Sequence, residues 1–529
     1  MSETVHVESD TPRVNVEREV KLTASPLFRM PKFDLSTSGL VSSPRHKQRL
    51  VAAYFDTSDL ALARFGVTLR HRSGDGGTPW TLKLPIAEHH NTVTRSELTF
   101  AGTHRHVPVA AADLVRAYSR SRPLVHVATL RSTRFTLDIH RPDGQSVAEV
   151  VDDTVSVYDG NLLLNVFREI EVELLITDDH SDDILSTIEH VLTQAGADGH
   201  TPLPKLVRAL SSHASAKPDV VVRPLSARHS SARRLVRHTI AASILQIIRH
   251  DAGVRLGEDP EAVHAFRVAT RQLRSNLRTY APLLDRSWSR SLRNELSWLA
   301  SSLGAVRENE VLTERLRQRE ASLPKGSAAS FGRLVTLLAQ QRDDARRNML
   351  ADMRSTHYDR LINDLVRAAR KPVFNNNANA ATRKAAAHVG TELTAHAWHS
   401  LKHALCAAGD TPSPEALHEI RIRAKRCRYA AESIESIVGK HAAQLGELAS
   451  SIQELLGEHH DSALAEQWLR EVASTRDRRD TGVEFLIACE QHDRCNLEVQ
   501  WQRVSREALT TTKATKWLRS QRGHVRRNP

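Results

Sequence analysis

Residues 14–22 read V-N-V-E-R-E-V-K-L. Val14, Val16, Val20 and Leu22 alternate with Asn15, Glu17, Glu19 and Lys21. A strand here has one apolar face and one face bearing two carboxylates and an ammonium. That charged face is either wet or lines a site, and the rest of the first 210 residues bears on the choice.

The same text recurs strand after strand. Candidate strands cover 14–22, 50–56, 67–72, 80–84, 92–100, 127–139, 146–158 and 166–175, with helical pieces near 105–120 and 182–195. Arg70 and Arg72 share a face, as do Arg95 and Glu97, Thr81 and Lys83, Glu149 and Asp153, and the trio Glu169, Glu171 and Glu173. The opposite faces carry Leu69, Val150, Ile170, Val172 and Leu174. A sheet wet on one side explains any single strand. It explains less well three glutamates spaced ~7 Å apart in succession, which repel unless cations neutralise them. Carboxylates mixed with Lys and Arg suit a site where oxygen ligands hold Mg²⁺ or Mn²⁺ and bases grip phosphate. If the sheet closes into a barrel, these faces share one lumen.

Glu17-x-Glu19-x-Lys21 resembles the ExExK signature of the CYTH domain, the triphosphate tunnel metalloenzyme family. In the family's order there follow Tyr54-Phe55-Asp56-Thr57-x-x-Leu60, Gly66-x-x-Leu69-Arg70-x-Arg72, Trp80-x-Leu82-Lys83, Arg95-x-Glu97, Asp153, Glu169-x-Glu171-x-Glu173 and Lys205-x-x-Arg208. The resemblance implies an eight-stranded antiparallel tunnel that grips and hydrolyses triphosphate with a divalent metal. It implies Glu17, Glu19 and Glu171 as metal ligands, with Glu169, Glu173 and Asp153 as second-metal or water-orienting groups. Lys21, Arg70, Arg72, Lys83, Arg95, Lys205 and one or both of Arg131 and Arg134 are the implied substrate grips. Arg131 and Arg134 stand three apart, on opposite faces of a strand, and Arg134 ranks lower. Glu17, Glu19, Lys21, Lys83 and Glu171 form the implied catalytic set.

From residue 232 the strand pattern gives way to helical periodicity, with helices expected at 232–251, 259–283, 287–321, 327–369, 381–408, 414–438, 442–474 and 481–510. His264-x-x-Arg267-x-x-x-Arg271-x-x-Arg274 recurs as His418-x-x-Arg421-x-x-x-Lys425-x-x-Arg428, and Leu303-Gly304-x-x-x-Glu308 as Leu456-Gly457-x-x-x-Asp461. The second half is thus an internal duplication. Arg278 extends the first stripe along the same helix face, and neither 263–278 nor 420–429 contains an acid. One such helix is ordinarily a solvated face; two related by duplication read as walls of an anion site. The two histidines are structural or donate to phosphate. These blocks resemble the CHAD domain, which implies paired four-helix bundles with a basic groove for inorganic polyphosphate lined by these nine residues.

The expected fold is therefore an α+β N-terminal antiparallel β-barrel (tunnel) domain plus an all-α C-terminal domain of two duplicated four-helix bundles. The expected parts are a disordered stretch 1–13, a tunnel domain 14–212, a partly ordered linker 213–230, a helical domain 231–515 with repeats at about 231–372 and 381–515, and a basic tail 516–529. Asn375, Asn376, Asn377 and Asn379 mark a flexible break between the repeats.

Composition supports a polyanionic partner. The 529 residues carry a net charge of +12 with a pI near 9.8. Aromatics make up only 5%, which argues against stacking recognition of nucleic acid. Four cysteines without a CxxC pair suggest neither a disulfide framework nor zinc, and a cytoplasmic, membrane-free protein is expected. The leading function is metal-dependent triphosphate or polyphosphate hydrolysis with polyphosphate binding by the helical half; a non-catalytic polyphosphate-binding scaffold is the alternative. The substrate compound and the oligomeric state stay open at this point.

Overall fold

The computed structural model describes residues 13–33, 39–74, 76, 80–89, 92–176, 178, 180–200, 203–210, 214–409, 411–474, 480–511 and 515–520. The expected disordered N-terminus and most of the basic tail lie outside these residues. The chain divides into two compact units, 1–219 and 220–529.

Among the described residues, the first unit is built on ten strands: β1 (Arg13–Ala24), β2 (Val41–Ser42), β3 (His46–Asp56), β4 (Thr68–Ser73), β5 (Trp80–His89), β6 (Thr92–Phe100), β7 (Val125–His140), β8 (Ser146–Asp159), β9 (Leu162–Leu174) and β10 (Asp198–His200). Eight close into an antiparallel barrel in the order β1-β6-β5-β4-β3-β7-β8-β9, with β9 returning to β1. β1 makes the closure because it is long: residues 13–19 pair with β6 and residues 18–24 with β9. Five short helices accompany the strands: α1 (Ala61–Arg64), α2 (Val109–Leu114), α3 (Arg116–Ser119), α4 (Ser181–Gln194) and α5 (Lys205–Leu210).

Alternation decides what faces where. Val20, Leu22, Val150, Ile170 and Val172 point outward into a core shared with Ile184, Leu185, Ile188 and Leu192 of α4. At one end of the barrel the inward positions are apolar as well. There α5 seats Leu206 and Val207 on Ala52, Tyr54, Ala128, Leu130, Val155 and Val157, so the lumen is plugged at that end rather than open throughout. Of the YFDT stretch, Asp56 is wholly buried and accepts from the backbone N–H groups of Leu62 and Ala63 at 2.9 Å, fixing α1.

The second unit is helical: α6 (Ala232–Leu256), α7 (Pro260–Thr279), α8 (Arg286–Gln318), α9 (Ala328–Arg354), α10 (Thr356–Arg370), α11 (Asn379–Arg383), α12 (Ala386–Ala408), α13 (Pro414–Val438), α14 (Lys440–Ser474), α15 (Thr481–Thr510) and α16 (Trp517–Ser520). The duplication appears in the starting points. α6 and α12 begin at 232 and 386, α7 and α13 at 260 and 414, and α8 and α14 at 286 and 440, a constant offset of 154. The repeats also meet reciprocally: Ala232 N–H donates to Lys384 O, and Ala386 N–H donates to Ser230 O. Each bond is the other's image under the same offset, as a pseudo-twofold requires.

Two expectations need correction. The helix at 327–369 breaks at Ser355, which leaves helical geometry (ψ 156°) and caps α10 by accepting from Tyr358 N–H. The asparagine run is ordered: Asn375 caps a 3₁₀ turn over Asn376–Ala378, and Phe374 bridges to Leu284. The described linker residues pack as well, since Ala214 and Val220 are buried and Asp219 pairs with Arg64 and Arg120. Among the described residues, no helix is long and apolar enough to cross a membrane.

Candidate functional site: a charged lumen and a basic groove

The barrel encloses a cavity of about 530 Å³, within the usual range for a small-ligand site. Glu17, Glu19, Lys21, Arg70, Arg72, Lys83, Arg95, Arg134, Glu171, Glu173 and Lys205 all line it. Asp153 and Glu169 face inward with them but are fully buried behind the lining. Arg131 is the exception: it is exposed on the outer face with its guanidinium 4.5 Å from the Tyr158 ring. The order expected between Arg131 and Arg134 is therefore reversed, because Arg134 stands opposite Asp153 in the β7–β8 register.

The charges interlock. Arg134 holds Asp153 by two bonds of 3.0 and 2.7 Å, the fork geometry that suits a guanidinium. Lys205 reaches Asp153 at 2.6 Å, Glu171 at 2.7 Å and Glu169 at 3.3 Å. Glu169 is also held by Arg208 at 2.9 Å. Lys21 pairs with Glu171 and with Glu19 at 3.0 Å. Lys83 pairs with Glu17 and with Glu97 at 2.9 Å, and Arg95 stands 3.5 Å from Glu19.

Against the cost of burial, Lys205 and Lys21 hold Glu171 well below the usual carboxylate range. Lys205 and Arg134 do the same for Asp153. Other carboxylates go the opposite way. Burial, with Glu97 adding to it, pushes Glu17 up to about 7. Burial and the charges of Glu19, Glu149 and Glu97 push Glu173 up to about 7 as well, and burial raises Glu149.

Glu149, Glu173 and Glu19 face one another in register across β8, β9 and β1. This rung holds more negative charge than its neighbours offset. Glu173→Gln is accordingly expected to stabilise the protein near pH 7.5 by about 1–3 kcal/mol. A raised carboxylate pKa costs stability above the unfolded value of about 4.5, so the gain should vanish near pH 4.5. Denaturant unfolding at the two pH values checks this; equal effects at both would contradict it.

The lining also includes His46, Gln48 and Asp138, which the sequence reading passed over, and Tyr54 and Glu149, which it named without giving them a role. Tyr54 bonds Arg70. The buried Arg70 Nε has no partner among the described residues. Among the described residues, lining carboxylates (Glu17, Glu19, Glu97, Asp138, Glu149, Glu171 and Glu173) number seven, as do lining Lys and Arg side chains (Lys21, Arg70, Arg72, Lys83, Arg95, Arg134 and Lys205). A neutral lumen attracts a polyanion little by itself; an anion that arrives with its own cations fits better.

In the second unit α7 packs against α13, its equivalent in the other repeat. The centre of this contact gathers His264, Arg267, Arg271, His418, Arg421 and Lys425. Arg271 Nε donates to Tyr429 Oη at 2.9 Å, and Arg267 donates to the carbonyls of Leu303 and Gly304 at 3.2 and 2.9 Å. Burial, Arg421 and Arg271 lower Lys425 to about 7. Burial and Arg421 lower His460, which lies 5.9 Å from His418, to about 4. Burial lowers His264 too.

Arg274 and Arg278 belong to a second group with Arg290, Arg293 and Arg426, whose mutual repulsion depresses several of them beyond the effect of burial. Arg428 departs from expectation. It pairs with Glu432 one turn on, just past the acid-free run. The sequence reading passed over Arg290 and Arg293 because they lie on α8, outside the duplicated stripe.

Residues 15–201 match the model of the CYTH domain and residues 238–470 that of the CHAD domain. Two uncharacterized proteins from Mycobacterium tuberculosis strains are 29% identical over 518 residues, covering 93% of this chain and 97% of theirs. The crystal structure of the CHAD domain from the plant Ricinus communis is similar at 22% identity and a TM-score of 0.45, covering 56% of this chain and 96% of that one. PptA from Streptomyces chartreusis is similar at 21% identity and a TM-score of 0.43, covering 52% of this chain and all of that one, 100%. The chain therefore carries a CYTH domain followed by a CHAD domain.

Proposed function

We propose that the barrel hydrolyses inorganic triphosphate, or the end of a polyphosphate chain, with Mg²⁺ or Mn²⁺, and that the helical unit binds polyphosphate. The observation that carries the first part is the lumen's composition: matched carboxylates and fixed cations, a buried Arg70 Nε without a partner, and a glutamate rung with excess negative charge. Among the described residues, no three His, Cys, Asp or Glu already stand close enough to hold an ion. The donor chemistry nevertheless fits one, because the inward oxygens of Glu19, Glu149 and Glu173 are hard ligands on one rung and a cation there would offset their mutual repulsion.

A bound ion supplies charge neutralisation and Lewis acidity at the phosphoryl group. Arg70, Arg134, Lys21 and Lys83 fix phosphate oxygens and stabilise charge on the transferring group. Glu17, poised near 7, accepts the proton of the attacking water. Asp153, Glu169 and Glu171 hold Lys205 and Arg134 in place.

Phosphate release from a panel of inorganic triphosphate, a nucleoside triphosphate, thiamine triphosphate and long-chain polyphosphate tests the reading. Inorganic triphosphate is expected to turn over fastest, with no release in EDTA. No release from any of them with either metal would sink the enzyme reading and leave a polyphosphate-binding protein.

A further inference from the structure

The two repeats match in helices but not in charge, and the mismatch gives the basic groove a direction. Under the offset of 154 that relates α7 to α13, Gln272, Arg274 and Arg278 correspond to Arg426, Arg428 and Glu432. Along α8 and α14 the buried positions match at 153, as Leu292 with Leu445 and Leu303 with Leu456 do, so Arg290 and Arg293 correspond to Ala443 and Gly446.

One end of the α7–α13 contact therefore gathers Arg274, Arg278, Arg290, Arg293 and Arg426. Among the described residues, none of these five forms an ion pair, and the buried Nε atoms of Arg293 and Arg426 have no hydrogen-bond partner. The image end holds Gln272, Ala443 and Gly446, and its single arginine, Arg428, is bonded to Glu432 at 2.6 Å. A Cβ built on Gly446 would lie 4.0 Å from Glu432 Cγ, which places the two image positions side by side as their counterparts Arg293 and Arg278 are.

Glu419 acts on Arg426 but is itself bonded to Arg423, and cations held together with so little counter-charge raise the energy of the empty protein, which a phosphate chain that threads among them relieves. We propose that the five-arginine end is a second polyphosphate subsite, so that a chain gripped at Arg271 and Lys425 extends toward this end and not toward its image. The proposal rests on the polyphosphate reading and adds to it a polarity and a demand for length. From Arg267 to Arg278 along α7 is about 16 Å at ~1.5 Å per residue, more than one phosphate can span.

The test compares image positions in the full-length protein, titrated with long-chain polyphosphate at fixed salt. Arg274→Ala should raise the Kd about tenfold, while the chemically identical Arg428→Ala should change it less than twofold. Arg278→Ala combined with Arg293→Ala should raise it further. Glu432→Gln, which frees Arg428, should lower the Kd. Equal losses from Arg274→Ala and Arg428→Ala would overturn the polarity while leaving polyphosphate binding intact. Failure of the unmodified protein to bind long chains would overturn the function reading beneath it. Equal competition by duplex DNA of the same charge would show a generic polyanion surface and overturn the subsite.

Discussion

Replacement of Lys205 by methionine is expected to lower the stability of the CYTH unit by about 3–5 kcal/mol and to abolish phosphate release. Lys205 is the first residue of α5, and its ammonium meets three carboxylates, Asp153, Glu169 and Glu171, of which the first two are fully buried. Among the described residues, removing it leaves those charges with only Arg134, Arg208 and Lys21. Uncompensated buried charge costs far more than the ion pair itself contributes. The apolar part of α5, Leu206 and Val207, would keep its seat on the barrel. Damage should therefore concentrate on β8 and β9. Hydrogen exchange at the amides of Val151–Asp153 and Glu169–Glu171 should speed up markedly; unchanged protection there would contradict the account.

The pH dependence follows with opposite signs from the two ends of the same pairs. Lys205 has a raised pKa, so its contribution is fully present below the unfolded lysine value of about 10.4 and is lost as pH rises beyond it. Glu171 and Asp153 have lowered values, so theirs is present above about 4 and is lost as pH falls through the folded values. Glu17 and Glu173, both near 7, work against stability from about 4.5 upward. In the absence of divalent metal the CYTH unit should thus be most stable on the mildly acidic side of neutrality.

The second large effect is expected in the helical unit. Arg271→Ala combined with Lys425→Ala should weaken long-chain polyphosphate binding about a hundredfold, since each charge-assisted contact contributes roughly 1.5–3 kcal/mol and 1.4 kcal/mol is a factor of ten. The variant should fold well, because Lys425 is surrounded by Arg421, Arg271 and Arg267 and relieving that repulsion stabilises the empty protein. With Lys425 near 7 in the free protein, an anion that raises its pKa draws a proton from solution. Binding at pH 8 should therefore consume protons, read as a dependence of the titration heat on buffer ionisation enthalpy, and affinity should fall as pH rises above 7. Proton-neutral binding at pH 8 would place the chain away from Lys425.

Much of the barrel was legible because its lumen is polar while its outer wall is buried under α4, so alternation reports both faces. The ambiguity between Arg131 and Arg134 shows where that signal inverts. Near Arg134 the outward residues are Leu137 and Ile139, which alone would have assigned Arg134 to the lumen. Farther up β7 the inward residues are Ala128 and Leu130, because α5 fills that end with apolar side chains. A plug contributed by a helix some 70 residues later leaves no mark on the strand itself. The pairing of Arg428 was not legible for a related reason: its partner Glu432 lies just beyond the acid-free run. Within the linker stretch, the pairing of Asp219 with Arg64 and Arg120 could not be read locally, because both partners lie far back in the sequence. The duplicated stripe was read correctly as a pair, yet the charge difference between its ends depends on Arg290 and Arg293, which only packing brings to α7.

The central claim is that Glu17, Glu19 and their counterparts form one hydrolytic lumen rather than a set of wet faces. Phosphate release from inorganic triphosphate under Mg²⁺ and Mn²⁺, measured side by side for the unmodified protein, Glu17→Ala, Glu19→Ala and the exposed Arg131→Ala, tests it most directly. The account predicts metal-dependent release that falls at least a hundredfold in the first two variants and is unchanged in the third. Release that survives both glutamate substitutions, or its absence from the unmodified protein under either metal, would contradict it.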